Sequence, residues 1–147
     1  MNAEWVIGLA ALALRIGLGV EMIAHGWPKL KDPKPVSGFF AQMGLKPAVF
    51  WTWVVALQEF LGGLLLILGL LTRLAALGFA VEFLVIILYV KRVKIKQPFS
   101  TPTGQAGWEW DWLILAMALA LLFLGSGAFG ADKVIGELAT WPLPKLP

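Results

Sequence analysis

The sequence predicts an all-α integral membrane protein, a single domain over residues 1–147 built as a bundle of four transmembrane helices. Of the 147 residues, 59% are hydrophobic and only 14% are charged, whereas a soluble domain carries about 25% charged residues. The apolar residues gather in four runs, each close to the ~20 residues that a spanning helix needs. Four such runs cannot close a barrel, so helices are the structure that pairs their backbone groups in lipid.

The ends of the four helices are marked by proline, glycine and charged residues. The first helix is expected to stop before Pro28, and the second to begin at Pro47, a residue suited to a first helical turn. The third should end where Lys91 begins a basic run, and the fourth should break at Gly125. The predicted helices cover residues 4–27, 47–70, 72–90 and 108–124.

The connecting segments differ in character. Between helices one and two, apolar residues at helical spacing predict a short interfacial helix lying on the membrane surface; these residues are Val36, Phe39, Phe40 and Met43. The loop 91–107 is polar and is expected to be irregular. The tail after Gly130, through Trp141, is expected to lie at the membrane interface.

Basic residues predict the topology. The loops 28–46 and 91–107 hold the lysines and arginines of one side, which are Lys29, Lys31, Lys34, Lys46, Lys91, Arg92, Lys94 and Lys96. The other side holds Arg73, Lys133 and Lys145. The positive-inside bias therefore places both loops in the cytoplasm and both termini outside, in a multi-pass protein of the plasma membrane. Because Arg15 interrupts the first apolar run, that run is interpreted as a retained helix and not as a signal peptide.

Composition excludes several kinds of chemistry. The chain has no cysteine, which removes thiol catalysis, thiolate–zinc sites and cysteine-ligated clusters. A single histidine argues against a His-rich metal or haem site, and no flavin motif is present. The net charge of +3 reflects the two basic loops, so no nucleic-acid partner is expected.

Three ionisable residues interrupt the apolar runs, and they are the candidate catalytic groups. Arg15, Glu59 and Glu82 each fall near the middle of a different predicted helix, where a charge costs roughly 2.5–3.5 kcal/mol on insertion scales. Arg15 and Glu59 are expected at the same depth and should form an ion pair, which could also serve only to fix helix register. Glu82 is expected to face the bundle, where one of two neighbouring carboxyls would hold an exchangeable proton.

A second group of polar and aromatic residues is expected near the cytoplasmic end, where it could form a ligand site; its members are His25, Lys29, Tyr89, Trp108, Glu109 and Asp111. Structural roles are the alternative. Glu109 and Asp111 could cap helix four, and Trp108 could belong to an aromatic belt at the interface.

The order of these motifs resembles that of the DoxX family of small membrane proteins over nearly the whole chain. The matching runs are Arg15-x-x-x-Gly19, His25-Gly26-x-x-Lys29, Gln58-Glu59-x-x-Gly62-Gly63-x-Leu65-x-x-x-Gly69, Gly107-x-Glu109-x-Asp111, and Gly125-x-Gly127 with Asp132. Ser126 stands where the family often has proline, and Glu21 where it usually has an apolar residue.

The resemblance implies a four-helix membrane bundle, and some relatives are subunits of quinone-linked oxidoreductases such as thiosulfate:quinone oxidoreductase. The expected function is therefore a membrane oxidoreductase subunit that binds a quinone, with His25, Lys29 and Tyr89 as donors and Glu59 or Glu82 as proton reservoir. Electrons would come from a redox partner protein or a bound substrate. A non-catalytic assembly, scaffold or lipid-binding protein is the alternative. Transport would require the chain to form a homo-oligomer and has no internal repeat to support it.

Overall fold

A computed structural model describes residues 2–101 and 107–136, and within these ranges the chain is helical and has no strand. The all-α prediction is thus confirmed. The helices are α1 (Ala3–Lys31), α2 (Lys34–Met43), α3 (Ala48–Leu68), α4 (Thr72–Val85) with a π-helical continuation (Ile86–Ile95), α5 (Glu109–Leu124) and α6 (Ala131–Ile135). The tail through Trp141, predicted to lie at the interface, is outside the described residues.

Three helices of the described chain are long and apolar enough to cross a membrane: α1, α3, and α4 taken together with its π-helical continuation. The α5 helix is strongly apolar but has 16 residues, fewer than the ~20 that span a hydrocarbon core. The structure therefore supports a helical membrane protein, whereas four complete spans remain a prediction.

Glycines bring α1 and α3 into direct backbone contact. Gly19 and Gly63 face each other so closely that a Cβ atom on Gly19 would lie 2.7 Å from the Gly63 carbonyl oxygen. About two turns further along, a Cβ on Gly26 would lie 2.6 Å from the backbone nitrogen of Phe60. Small residues permit this close packing of membrane helices, and these contacts fix the register of the antiparallel pair.

The apolar core lies between α1, α3, α4 and α5. Its buried members include Leu18, Met22, Leu66, Phe79, Phe83, Ile114, Ala118 and Leu121. Gly62 of α3 lies beside this core and contacts the Phe79 ring, since a Cβ at position 62 would lie 2.8 Å from it. The Phe79 ring of α4 thus contacts α3 with its tip, at a position where only glycine leaves room for it.

The turn between α3 and α4 is held by an aspartate from α6. Gly69 and Leu71 both have positive φ, at 68° and 49°, and this tight turn leaves backbone groups of α4 without helical partners. Asp132 accepts hydrogen bonds from the backbone nitrogens of Leu71 at 2.6 Å and Thr72 at 3.0 Å. Its own backbone nitrogen donates to the Gly69 carbonyl at 2.9 Å.

Two predicted helix ends were wrong. The α1 helix continues through Pro28 to Lys31, and the backbone nitrogen of Asp32 donates to the Pro28 carbonyl. This extra turn carries Lys29 into an ion pair with a buried carboxylate, a contact that offsets the hydrogen bond that proline removes. The segment 91–107 was predicted to be an irregular loop, but its first residues continue the π-helix, which ends at Ile95.

The short helix predicted between helices one and two is present as α2. It ends at Gly44, whose left-handed conformation lets its nitrogen donate to carbonyls of the last turn. The Tyr89 hydroxyl donates to the Met43 carbonyl at 3.0 Å, which ties α2 to the π-helical segment. We call this end of the bundle the α2 end, and the opposite end, near the α3–α4 turn, the α6 end.

Candidate functional site

Arg15 is buried, being 1% exposed, but it forms no ion pair with Glu59. Its Nε donates to the Leu66 carbonyl at 2.9 Å, Nη2 to Ile67 at 3.1 Å and Nη1 to Ser126 at 2.5 Å. The guanidinium thus binds the carbonyls at the C-terminal end of α3, where a positive charge is favourable. The predicted Arg15–Glu59 pair is wrong.

The reason lies in the register of α1 and α3. With Gly19 opposite Gly63, the antiparallel helices place Arg15 level with Ile67. Glu59 lies eight residues earlier on α3, which is about 12 Å towards the α2 end. The shared depth of the three ionisable residues, inferred by counting along each predicted helix, is therefore also wrong.

Glu59 is paired with Lys29 instead. Glu59 is 2% exposed, and its Oε1 accepts a hydrogen bond from the ammonium group of Lys29, with which it forms an ion pair. Helical side chains lean towards the N-terminus of their helix, so Lys29 reaches from the last turn of α1 back into the bundle. Sequence reasoning had assigned these two residues to separate groups.

Glu82 joins this pair from α4. The Gln58 side-chain nitrogen donates to Oε2 of Glu82 at 2.7 Å, and the Glu59 and Glu82 carboxyls lie within hydrogen-bond distance of each other. Glu82 thus faces the bundle, as predicted. Gln58 was missed as a site residue, although its place beside Glu59 in the quoted motif was a usable signal. We call Lys29, Gln58, Glu59 and Glu82 the carboxyl cluster.

The two carboxyls are close enough to share a proton. Oε2 of Glu59 and Oε1 of Glu82 are buried, and neither receives the hydrogen bond from Lys29 or Gln58. Buried polar atoms are normally paired, and two carboxyls at hydrogen-bond distance are paired when one of them carries a proton. The carboxyl cluster is therefore arranged to hold a proton.

The carboxyl cluster lies in the wall of a large apolar groove between α3 and α4. The groove has a volume of about 980 Å³, and its lining includes Val55, Leu61, Gly62, Gly78, Val81 and Phe83. Leu61 and Val81 on its rim are 50% and 54% exposed. We call this cavity the α3–α4 groove; it combines an aliphatic opening with a charged inner wall.

Three members of the second predicted group line this groove: His25, Lys29 and Asp111. The His25 Nε2 lies 2.8 Å from Oε1 of Glu21, and Asp111 pairs with Lys91 at 3.6 Å. These residues form a polar rim at the α2 end. Trp51 and Trp110 also line the groove and were not predicted as site residues.

The other three members point elsewhere. Tyr89 donates to the backbone of α2, so its hydroxyl is used in holding that helix. The ring of Trp108 packs edge-on against Phe99 with centroids 4.6 Å apart. Glu109 accepts from the backbone nitrogen of Thr101 at 3.0 Å. Each has a structural contact that accounts for its position, and none lines the groove. The part of the chain that the structure describes contains no group of three His, Asp or Glu side chains placed to hold a metal ion.

Apolar helices of spanning length around a buried charged cluster define a helical integral membrane protein. The DoxX family profile matches residues 10–92, more than half of the chain, and this range includes Lys29, Glu59 and Glu82. The chain belongs to the DoxX family, as its motifs predicted.

A relative in Bacillus subtilis (strain 168), named "Putative oxidoreductase CatD", is 34% identical over 99 residues. The match covers 67% of this chain and 69% of that protein. No solved structure matches the chain.

Proposed function

We propose that the protein is a membrane oxidoreductase subunit that binds a quinone, or a similar isoprenoid redox partner, in the α3–α4 groove. The observation that carries this proposal is the carboxyl cluster in the wall of an apolar groove of about 980 Å³. Ligand pockets are typically ~300–1,000 Å³, mostly apolar, with a few convergent polar groups. The name of the Bacillus subtilis relative agrees with redox chemistry for this family member.

The opening of the groove suits an isoprenoid tail. Its rim is formed by aliphatic side chains that include Leu57, Leu61, Leu74 and Val81, which are 44–57% exposed. In a membrane these side chains face lipid, where a hydrocarbon tail resides. The ligand would therefore enter sideways between α3 and α4, without crossing water.

The carboxyl cluster suits the headgroup and its protons. Lys29 is a donor for a carbonyl oxygen, and Glu59 and Glu82 can take up and release a proton. One lysine and two carboxylates carry a net charge of −1, and a proton shared between the carboxyls would make the cluster neutral. A neutral cluster costs least inside a membrane, so proton exchange is built into this group of residues.

For the membrane arrangement, we propose that α5 is the fourth spanning helix and that α2 lies on the membrane surface. In this arrangement the α2 end faces the cytoplasm across the plasma membrane. The concentration of basic residues at the α2 end, among them Lys31, Lys34, Arg92 and Lys94, supports this orientation. A redox partner subunit would then approach the polar rim at His25 and Asp111.

The test is ligand binding to the full-length chain in lipid nanodiscs. A decyl-substituted benzoquinone should quench tryptophan fluorescence, because Trp51 and Trp110 line the groove. Replacing Val81, on the rim, by tryptophan should fill the opening and weaken binding at least about tenfold. The matched control is Leu84→Trp, since Leu84 is on the same helix and 46% exposed but does not line the groove. Equal binding by both variants, or no saturable binding, would contradict the proposal.

The alternative, a non-catalytic scaffold or lipid-binding protein, has one observation in its favour. Arg15, a candidate catalytic residue, is occupied with three backbone carbonyls, as expected of a structural group. Under this alternative Glu82→Gln leaves the protein's complexes and its cellular phenotype unchanged, whereas a proton-exchanging redox protein loses turnover.

A further inference from the structure

We propose that the carboxyl cluster exchanges its proton with water at the α2 end of the bundle, through the ammonium group of Lys29. This inference rests on the proposed function and deepens it, because it assigns a side of the membrane and a proton-carrying residue to the same groove. It is carried by a hydrogen-bonded chain of side chains that starts at Glu82 and ends at a partly exposed lysine.

The chain of side chains has three members. The Glu82 and Glu59 carboxyls lie within hydrogen-bond distance of each other, and Oε1 of Glu59 accepts a hydrogen bond from the Lys29 ammonium group. The side chain of Glu59 is 3% exposed, whereas that of Lys29 is 22% exposed. Lys29 lies in the last turn of α1, so the chain of hydrogen bonds reaches the surface at the α2 end.

The opposite direction is closed. Towards the α6 end the carboxyl cluster is followed by apolar side chains from α1, α3, α4 and α5, none of them more than 1% exposed; they are Leu18, Met22, Leu66, Phe79 and Ala118. Beyond them lies Arg15, whose three nitrogens already donate to backbone carbonyls. Proton transfer needs groups within hydrogen-bond reach, directly or through one water, and this apolar layer interrupts that contact.

The groove itself supplies no protons, because its aliphatic rim faces lipid in a membrane. At the α2 end, by contrast, charged side chains from three helices hold water beside Lys29. Besides the carboxyl cluster, the titratable groups there are Glu21 and His25 on α1, Lys91 on the π-helical continuation and Asp111 on α5. Water at the α2 end is therefore the proton source that the cluster can reach.

The transfer runs in steps that balance. When Glu82 is a carboxylate, it takes the proton of Glu59 across the hydrogen bond between them. Glu59 then takes a proton from the Lys29 ammonium group, as an N–H bond breaks and an O–H bond forms. The neutral amine takes a proton from water, so one proton enters, one arrives on Glu82, and no electron moves. Lysine can release a proton in this way, whereas an arginine guanidinium keeps its protons.

The first test determines the side of exchange in proteoliposomes of the full-length protein. Because the chain has no cysteine, Lys34→Cys, at an exposed position of α2, can be labelled with a membrane-impermeant maleimide, which measures the fraction of molecules whose α2 end faces outwards. A jump of the external pH to alkaline values is then followed by infrared absorption of protonated carboxyls. The relevant band is absent from Glu82→Gln and present in the control Glu4→Gln, because Glu4 is exposed at the other end of α1. The fraction of this band that responds rapidly should equal the labelled fraction.

The second test changes the proton carrier. Lys29→Arg keeps a cation beside Glu59 but holds its protons, so the response should slow by at least about tenfold. Lys31→Arg, at the same helix end, should leave the rate unchanged, and the thermal unfolding midpoint reports whether either variant alters the fold.

A responding fraction equal to the unlabelled fraction, no responding band, or an unchanged rate in Lys29→Arg would each overturn the inference. Should Lys29→Arg fail to fold, the side measured with Lys34→Cys still decides. The proposed function is tested separately by the quenching of tryptophan fluorescence with decyl benzoquinone. Saturable quenching together with exchange from the α6 end would overturn the inference alone, whereas absence of quenching would overturn the proposed function.

Discussion

Arg15 and the carboxyl cluster are both charged groups buried in an apolar helical protein, and they differ in the groups that form their hydrogen bonds. The Arg15 guanidinium donates from all three of its nitrogens to backbone carbonyls of the α3 end and the segment after α5. The carboxyl cluster has two carboxyls within hydrogen-bond distance of each other and borders a groove. A buried charge whose hydrogen bonds go to the backbone stabilises the fold, whereas buried carboxyls that can share a proton beside a groove are positioned to exchange it with a ligand.

The largest effect on stability is expected for Arg15→Met. The substitution removes a donor from the carbonyls of Ile67 and Ser126, whereas the Leu66 carbonyl still accepts from the Gly69 backbone nitrogen, and each unpaired group costs ~1–3 kcal/mol. We expect a total loss of ~3 kcal/mol or more, seen as a large decrease in the thermal unfolding midpoint in detergent. Arg92→Met is the control, because Arg92 is exposed. A midpoint shared by both variants would mean that Arg15 is not a structural group.

A smaller effect is expected for Lys29→Met. The substitution removes the ion-pair partner of Glu59, but a carboxylate, unlike a backbone carbonyl, can become neutral by taking up a proton. The expected loss is therefore ~1–2 kcal/mol, measured in the same unfolding experiment. Lys31→Met, at the same helix end, removes only a contact with the Trp27 ring and should change the midpoint less. A loss as large as that of Arg15→Met would remove the distinction between the two regions.

The smallest effect on stability is expected for Glu82→Gln. The amide oxygen can still accept from Gln58, so the free energy of unfolding should change by less than ~1 kcal/mol. Redox turnover should nevertheless be lost, because an amide does not take up and release a proton as the carboxyl does. If Glu82→Gln unfolds the protein while Glu4→Gln does not, Glu82 supports the fold and the carboxyl cluster is structural throughout.

The fold was largely predictable because its signals are local. Apolar runs gave the helices, and the Gly125 break and the spacing of Val36 and Phe39 indicated the end of α5 and the presence of α2. The continuation of α1 through Pro28 was not predictable, because it depends on a contact of Lys29 with a residue 30 positions away.

The site was predictable in its residues but not in its pairing. Glu59 and Glu82 stood out as acids in apolar runs, and both line the groove. Which cation meets Glu59 depends on the contact of Gly19 with Gly63, and a single sequence does not reveal that register. Gln58 was overlooked because an uncharged amide gives no signal of its own beside an acid.

The most direct test of the central claim is to locate the bound ligand. A photoreactive azido-quinone with an alkyl tail would be cross-linked to the full-length protein in nanodiscs, and the labelled peptides identified by mass spectrometry. The account predicts labels on α3 and α4 around Glu59 and Glu82, and their loss in the Val81→Trp variant but not in Leu84→Trp. Labels confined to the separate shallow cavity lined by Ile23, Trp27 and Phe60, with none in the α3–α4 groove, would contradict it.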